Sequence, residues 1–192
     1  MRYWRKAREV RAVVFAGMAT VLALLLPFTV LTATPSPGGA TVGLAAVLAL
    51  AIPVLTGWGI SRGDRAMEQR SVRPVAMLDL GLVLTAGIAV AAIEVTLRAS
   101  GVSPAGLIAA RATVTYIGLL LAAVPLVGWG NASMAPVAYV VAVVIAGRGS
   151  DVEHPAVWAW IAGREDDAFS LIAALTTFAV GIVVYLVRAR GD

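Results

Sequence analysis

Glu94 and Arg98 stand four residues apart in "IAVAAIEVTLRAS", a stretch otherwise almost without charge, and Arg111 follows after a short break. Asp79 sits upstream in "VAMLDLGLVL". Ionisable groups within long apolar runs are costly to bury, so they pair with one another or line a polar cavity. A spacing of four puts Glu94 and Arg98 on one helical face. Arg111 enters the next apolar run from the same side. The sequence therefore predicts a Glu94–Arg98–Arg111 cluster. It would serve either as an ion pair pinning two helices or as a gate or substrate contact. Asp79 is expected about one and a half turns inside the opposite boundary, within reach of Arg73.

Other chemistry finds little support in the residues. Asp166 and Asp167 are adjacent acids, but neighbours on a helix point about 100° apart, which argues against a catalytic carboxylate pair. There is no cysteine, which excludes disulfides, thiolate metal sites and thiol redox chemistry. His154 is the only histidine and Lys6 the only lysine. No G-x-x-x-x-G-K-[ST], H-E-x-x-H or G-x-S-x-G occurs. The sequence thus predicts no catalytic residue, no metal site and no cofactor, and a protein that is not itself an enzyme. An intramembrane enzyme using Asp79 or Glu94 stays open as a third possibility.

The elements that carry these residues are dictated by composition. The chain is 60% hydrophobic and 14% charged, with a mean hydropathy of +0.89. A soluble domain of 192 residues cannot hide that much apolar surface. A spanning helix needs about 20 apolar residues to cross roughly 30 Å of hydrocarbon. Six such runs are read: Ala12–Leu31, Ala40–Ile60, Pro74–Leu97, Leu107–Val127, Asn131–Gly147 and Ala168–Val187, the fifth being short. They lack period-two alternation, which favours helices over a barrel. The expected fold is all-α: one polytopic transmembrane domain over residues 1–192, six helices, and an amphipathic interfacial helix at residues 1–11.

Basic residues give an orientation. The N-terminus, the Ser61–Pro74 loop and the C-terminus hold eleven of the fifteen Lys and Arg residues. With six spans these three segments share one side. The prediction is a multi-pass cell-membrane protein with both termini cytoplasmic. The net charge of +4 then reflects topology rather than nucleic-acid binding. "GWG" occurs at Gly57–Gly59 and Gly128–Gly130, each after a proline and each read as closing an even-numbered span with helix-ending glycines around an interfacial Trp.

Two polar segments stand out. "SRGDRAMEQRSVRP", residues 61–74, mixes charges in a helix-capable run. Its acids Asp64 and Glu68 are unnecessary for orientation. Arg73-Pro74 marks its end, since the residue before proline is pushed away from helix. It reads either as a solvated positive loop or as a handle for a soluble partner. Residues 148–167, "RGSDVEHPAVWAWIAGREDD", are polar at both ends and apolar in the middle, too short to span. They read as an extracytoplasmic loop with a re-entrant or interfacial helix, Trp158 and Trp160 at the interface, and acids leading into the last span.

The layout of "MRYWRKAREVRAVVF", "SRGDRAMEQRSVRP" and "HPAVWAWIAGREDD" resembles the membrane-spanning permease subunit of type-two (ABC-2-like) ABC exporters. The resemblance implies an amphipathic N-terminal helix, a cytoplasmic coupling helix between the second and third spans, and a re-entrant element between the fifth and sixth. It implies a dimeric permease energised by a separate cytoplasmic ATPase subunit, docked by Arg65, Met67, Glu68 and Arg70. It covers the whole chain as a layout, without a diagnostic motif, and the loops here are minimal. The alternative is a non-transporting accessory, assembly or immunity subunit of a larger membrane complex. Either way the partners are the bilayer and other protein subunits, in a homo- or hetero-oligomer.

Overall fold

The computed structural model describes residues 32–33, 42–61, 75–102, 105–149, 155–165 and 167–189. The expected N-terminal helix, the first expected span and residues 62–74 lie outside the described residues, and with them Arg65, Met67, Glu68, Arg70 and Arg73.

The described chain is mostly helical. Thr32–Ala33 (β1) and Val42–Gly43 (β2) form a minimal antiparallel ribbon, Thr32 opposite Gly43 and Ala33 opposite Val42. Then follow α1 (Leu44–Leu48), α2 (Ala51–Ser61), α3 (Val75–Ala99), α4 (Gly106–Ala132), α5 (Met134–Ala146), a 3-10 turn at Trp160–Ala162, and α6 (Ala168–Ala189). Among the described residues, four helical stretches are long and apolar enough to cross a membrane: Leu44–Ser61, Val75–Ala99, Gly106–Ala132 and Ala168–Arg188. The expected fifth span is a helix of 13 residues, about 20 Å at 1.5 Å per residue, shorter than the roughly 30 Å of hydrocarbon. The ribbon before α1 was not anticipated from the sequence.

Proline explains the interruption between α1 and α2. Pro53 has no N–H to give the Ala49 carbonyl, and the chain tightens there. The Leu50 N–H donates to Val47 O at 3.1 Å and that of Ile52 to Ala49 O at 3.4 Å, both three residues back. Tightening deprives the Ala46 carbonyl of its usual donor four residues on, and the Tyr116 hydroxyl of α4 donates to it instead, at 3.0 Å. In an apolar interior such a break survives only where protein groups satisfy the freed backbone.

The two GWG sequences behave differently. Gly57–Gly59 lies inside α2, which continues to Ser61, so that glycine pair does not end the helix as expected. Gly128 does interrupt α4: its φ of 73° and ψ of 165° break the helix, a left-handed φ that glycine tolerates at no steric cost. The preceding Pro125 already weakens this last stretch.

Among the described helices α4 is central and packs against all the others. Its tightest neighbour is α6. A Cβ on Gly118 would lie 2.6 Å from Thr177 O and 2.7 Å from Phe178 Cα, and one on Gly181 would collide with the Gly118 carbonyl. Here the backbones touch, the device by which small residues let apolar helices associate without a hydrophobic driving force. Two core layers result. Tyr116, Ala112, Val143, Ala46 and Ile161 fill the layer toward the α3–α4 turn. Leu120, Leu121, Val83, Ile60 and Tyr185 fill the layer toward the α4–α5 junction. There the Tyr185 hydroxyl donates to Ala76 O at 3.0 Å and its ring lies 5.7 Å from that of Trp129.

Candidate functional site

Polar side chains gather at the end of the bundle where α3 turns into α4 and the chain returns into α6. α3 brings Glu94 and Arg98, α4 brings Arg111, Thr113 and Thr115, and α5 brings Tyr139. Residues 155–165 fold back over them.

The structure divides the expected three-residue cluster. Glu94 pairs with neither arginine: its carboxyl accepts hydrogen bonds from the Thr113 hydroxyl, at 3.2 Å to Oε2 and 3.5 Å to Oε1. Arg98, one turn nearer the helix end and exposed, donates instead to Glu165. Arg111, 4% exposed, points to the backbone of the returning segment. Its Nη1 donates to Arg164 O at 2.8 Å and its Nη2 to Gly163 O. The reason is positional. Arg98 reaches past the end of α3 toward the polar entry to α6. Arg111 faces a non-helical turn whose carbonyls have no helical partner. A planar fork of donors suits adjacent carbonyls. Its Nε is buried without a partner among the described residues. Asp79 is buried near the start of α3, about 22 Å from Glu94 along the axis, so it does not join this site.

Residues 155–165, within the segment expected to hold a re-entrant or interfacial helix, form a 3-10 turn at Trp160–Ala162. Arg148 pairs with Pro155 as an isolated antiparallel bridge, and the Ala156 N–H donates to Gly147 O at 2.8 Å. Side chains of α4 and α5 then tie the segment down. Tyr139 donates to Trp158 O at 3.0 Å. The Trp160 indole N–H donates to Thr115 Oγ1 at 3.3 Å, and its ring lies 5.3 Å from that of Tyr139. Ala159 and Ile161 are fully buried. Trp158 and Val157 remain exposed, so of the two expected interfacial tryptophans only Trp158 faces outward.

The segment ends in a helix cap. Asp167 precedes α6, and its Oδ1 accepts the Phe169 N–H at 3.1 Å, as an N-cap aspartate does. The Ser170 hydroxyl donates to Oδ2. That hydrogen bond, ahead of those from the Phe169 and Ser170 N–H groups, holds the Asp167 carboxyl below the usual aspartate value against the opposing effect of partial burial. Gly163 fits against this cap, where a Cβ would collide with Ser170 Oγ.

Thr113, Thr115, Tyr139 and Ser170 were not among the residues singled out from the sequence. Their signal was present: hydroxyls two and four residues after Arg111 in an apolar run, and an aspartate three residues before a serine at a helix start. Among the described residues no group of three or more His, Cys, Asp or Glu could hold a metal ion. Comparison with protein-family models, with curated proteins and with solved structures finds no match to the chain.

Proposed function

We propose that the chain is the membrane-spanning permease subunit of an ABC-2-like exporter, set in the cell membrane with both termini cytoplasmic and energised by a separate ATPase subunit. The observation that supports this most is the segment of residues 155–165. It folds back onto α4 and α5 between the last two helices, where that layout calls for a re-entrant element. Six spans, an N-terminal interfacial helix and a coupling helix carrying Arg65, Met67, Glu68 and Arg70 complete the proposal. In it, ATP-driven movement of the partner reaches the bundle through the 61–74 loop, and a second membrane subunit completes the pathway.

A second reading is favoured by the α4–α6 crossing. Backbone contact at Gly118 and Gly181 leaves no room for a passage along that seam, as suits an accessory, assembly or immunity subunit that carries nothing itself. Purification in mild detergent, with identification of what accompanies the chain, separates the two. A co-purifying ATPase, lost on Glu68→Arg without loss of membrane insertion, supports the permease. A different membrane complex, with no ATPase, overturns it in favour of the accessory subunit.

A further inference from the structure

We propose that Glu94, closed against Thr113 in the seam between α3 and α4, is a proton-binding site within the bundle. The Glu94 side chain is fully buried, and among the described residues its hydrogen-bond donor is the neutral Thr113 hydroxyl. The seam is tight at this level: a Cβ on Gly106 would collide with the Glu94 carbonyl oxygen and come within 3.1 Å of Arg98 Cβ.

The charged and titratable groups around it are engaged elsewhere. Arg98, on the same helix, pairs with Glu165. Arg111, on α4, holds the Gly163 and Arg164 carbonyls, and Tyr116, also on α4, holds Ala46 O. Asp167 is bound to Ser170 and the start of α6. Arg164 is exposed, its carbonyl turned to Arg111. α1 and α2 contribute no titratable side chain.

An ionised carboxylate with one neutral donor in such surroundings is an uncompensated charge, whereas the neutral acid is close to satisfied. The neutral acid also gains an O–H to donate. A proton fits this site better than a metal ion. Hard cations take six or more oxygen ligands, and among the described residues the seam offers one carboxyl and one hydroxyl. Loss of the proton leaves a charge that the closed seam cannot hold, so proton occupancy and α3–α4 closure are coupled, each favouring the other. This inference stands apart from the permease proposal and does not depend on it.

Infrared difference spectroscopy on the purified protein in mild detergent tests it. At neutral pH, wild type minus Glu94→Gln is expected to show the C=O stretch of a protonated, apolar-embedded acid, shifting in D2O. Thr113→Val, which keeps the acid and removes its partner, is expected to move that band. Loss of carboxylate bands alone in Glu94→Gln overturns the proposal, as does a band unmoved by Thr113→Val. Disappearance of the band on adding sodium at constant pH also overturns it, in favour of a metal-cation site. Should Glu94→Gln not fold, dicyclohexylcarbodiimide labelling of the wild type at neutral pH, read by peptide mass spectrometry, supplies the comparison. Selective modification of Glu94 over Glu165 supports the site, and modification of Glu165 alone overturns it.

Discussion

Gly181 of α6 lies directly on the backbone of Gly118 in α4, so that a side chain at either position would enter the other helix. The crossing therefore depends on two hydrogen atoms where any other residue places a carbon. Gly118→Ala and Gly181→Ala are each expected to destabilise the bundle by about 1–3 kcal/mol, the usual cost of overpacking. Gly81→Ala in α3, where a Cβ meets nothing within 4 Å, is the control and should be neutral or slightly stabilising. Thermal unfolding in one detergent reads all three. Equal effects at Gly81 and Gly181 would refute the close crossing.

Arg111 is expected to hold residues 155–165 rather than to pair with Glu94. Arg111→Ala should cost about 3 kcal/mol, since hydrogen bonds from charged donors contribute roughly 1.5–3 kcal/mol each. Its signature is local: faster amide exchange and protease cleavage within 155–165. Arg111→Lys should restore only part of the protection, because a single ammonium cannot reproduce the fork. Unchanged exchange in that segment would count against the assignment.

The Arg98–Glu165 pair is exposed and should matter little. Arg98→Ala, Glu165→Ala and the double variant should unfold within a degree or two of wild type at high salt. Any coupling between them should appear only at low salt. A large coupling that persists in high salt would show a pair shielded from solvent.

Asp167→Ala should lower stability by about 1 kcal/mol, the typical cost of losing an N-cap, with Asp167→Asn or Asp167→Ser recovering most of it. The Asp167 carboxyl titrates below its ordinary value in the folded chain because Ser170 donates to it. Its contribution is thus fully present above the unfolded aspartate value, about 3.9, and is lost as pH falls through the lower folded value. Unfolding measured from neutral to strongly acid pH should show the wild type losing its advantage over Asp167→Asn only at the acid end. An advantage that instead grows toward acid pH contradicts this cap.

Tyr116→Phe removes the hydroxyl that serves the Ala46 carbonyl at the α1–α2 break. The buried carbonyl is then unsatisfied, at about 1–3 kcal/mol. Thr115→Val, which loses a bond to Trp160 and keeps its volume, should cost less. A break in α1–α2 that stays as protected in Tyr116→Phe as in wild type would show that another donor serves it.

Helix positions were legible because apolar runs bounded by proline, glycine and charge leave few alternatives. Val75–Ala99 and Ala168–Ala189 fall within two residues of the limits read from composition. The partners of charged residues were not legible. A spacing of four places Glu94 and Arg98 on one face, but the choice between Arg98 and Thr113 depends on where α4 crosses, and that of Arg111 on the turn carbonyls at Gly163 and Arg164. Those carbonyls exist because "PAVWAWIAG" makes one tight turn instead of a helix, and hydropathy does not tell the two apart. The remedy for the α1–α2 break, Tyr116, lies 70 residues from the Ala46 carbonyl that it serves.

The short fifth helix has a mechanical consequence. α5 reaches about 20 Å, against roughly 30 Å of hydrocarbon, and its Val141 and Ile145 face outward. Beyond Ala146, Arg148 pairs with Pro155 of the folded segment. A bilayer fitted to the four long helices would meet a lower wall along α5, which thinning of the lipid, snorkelling of flanking side chains or a neighbouring subunit would cover. Among the described helices, that flank is where hydrophobic mismatch falls.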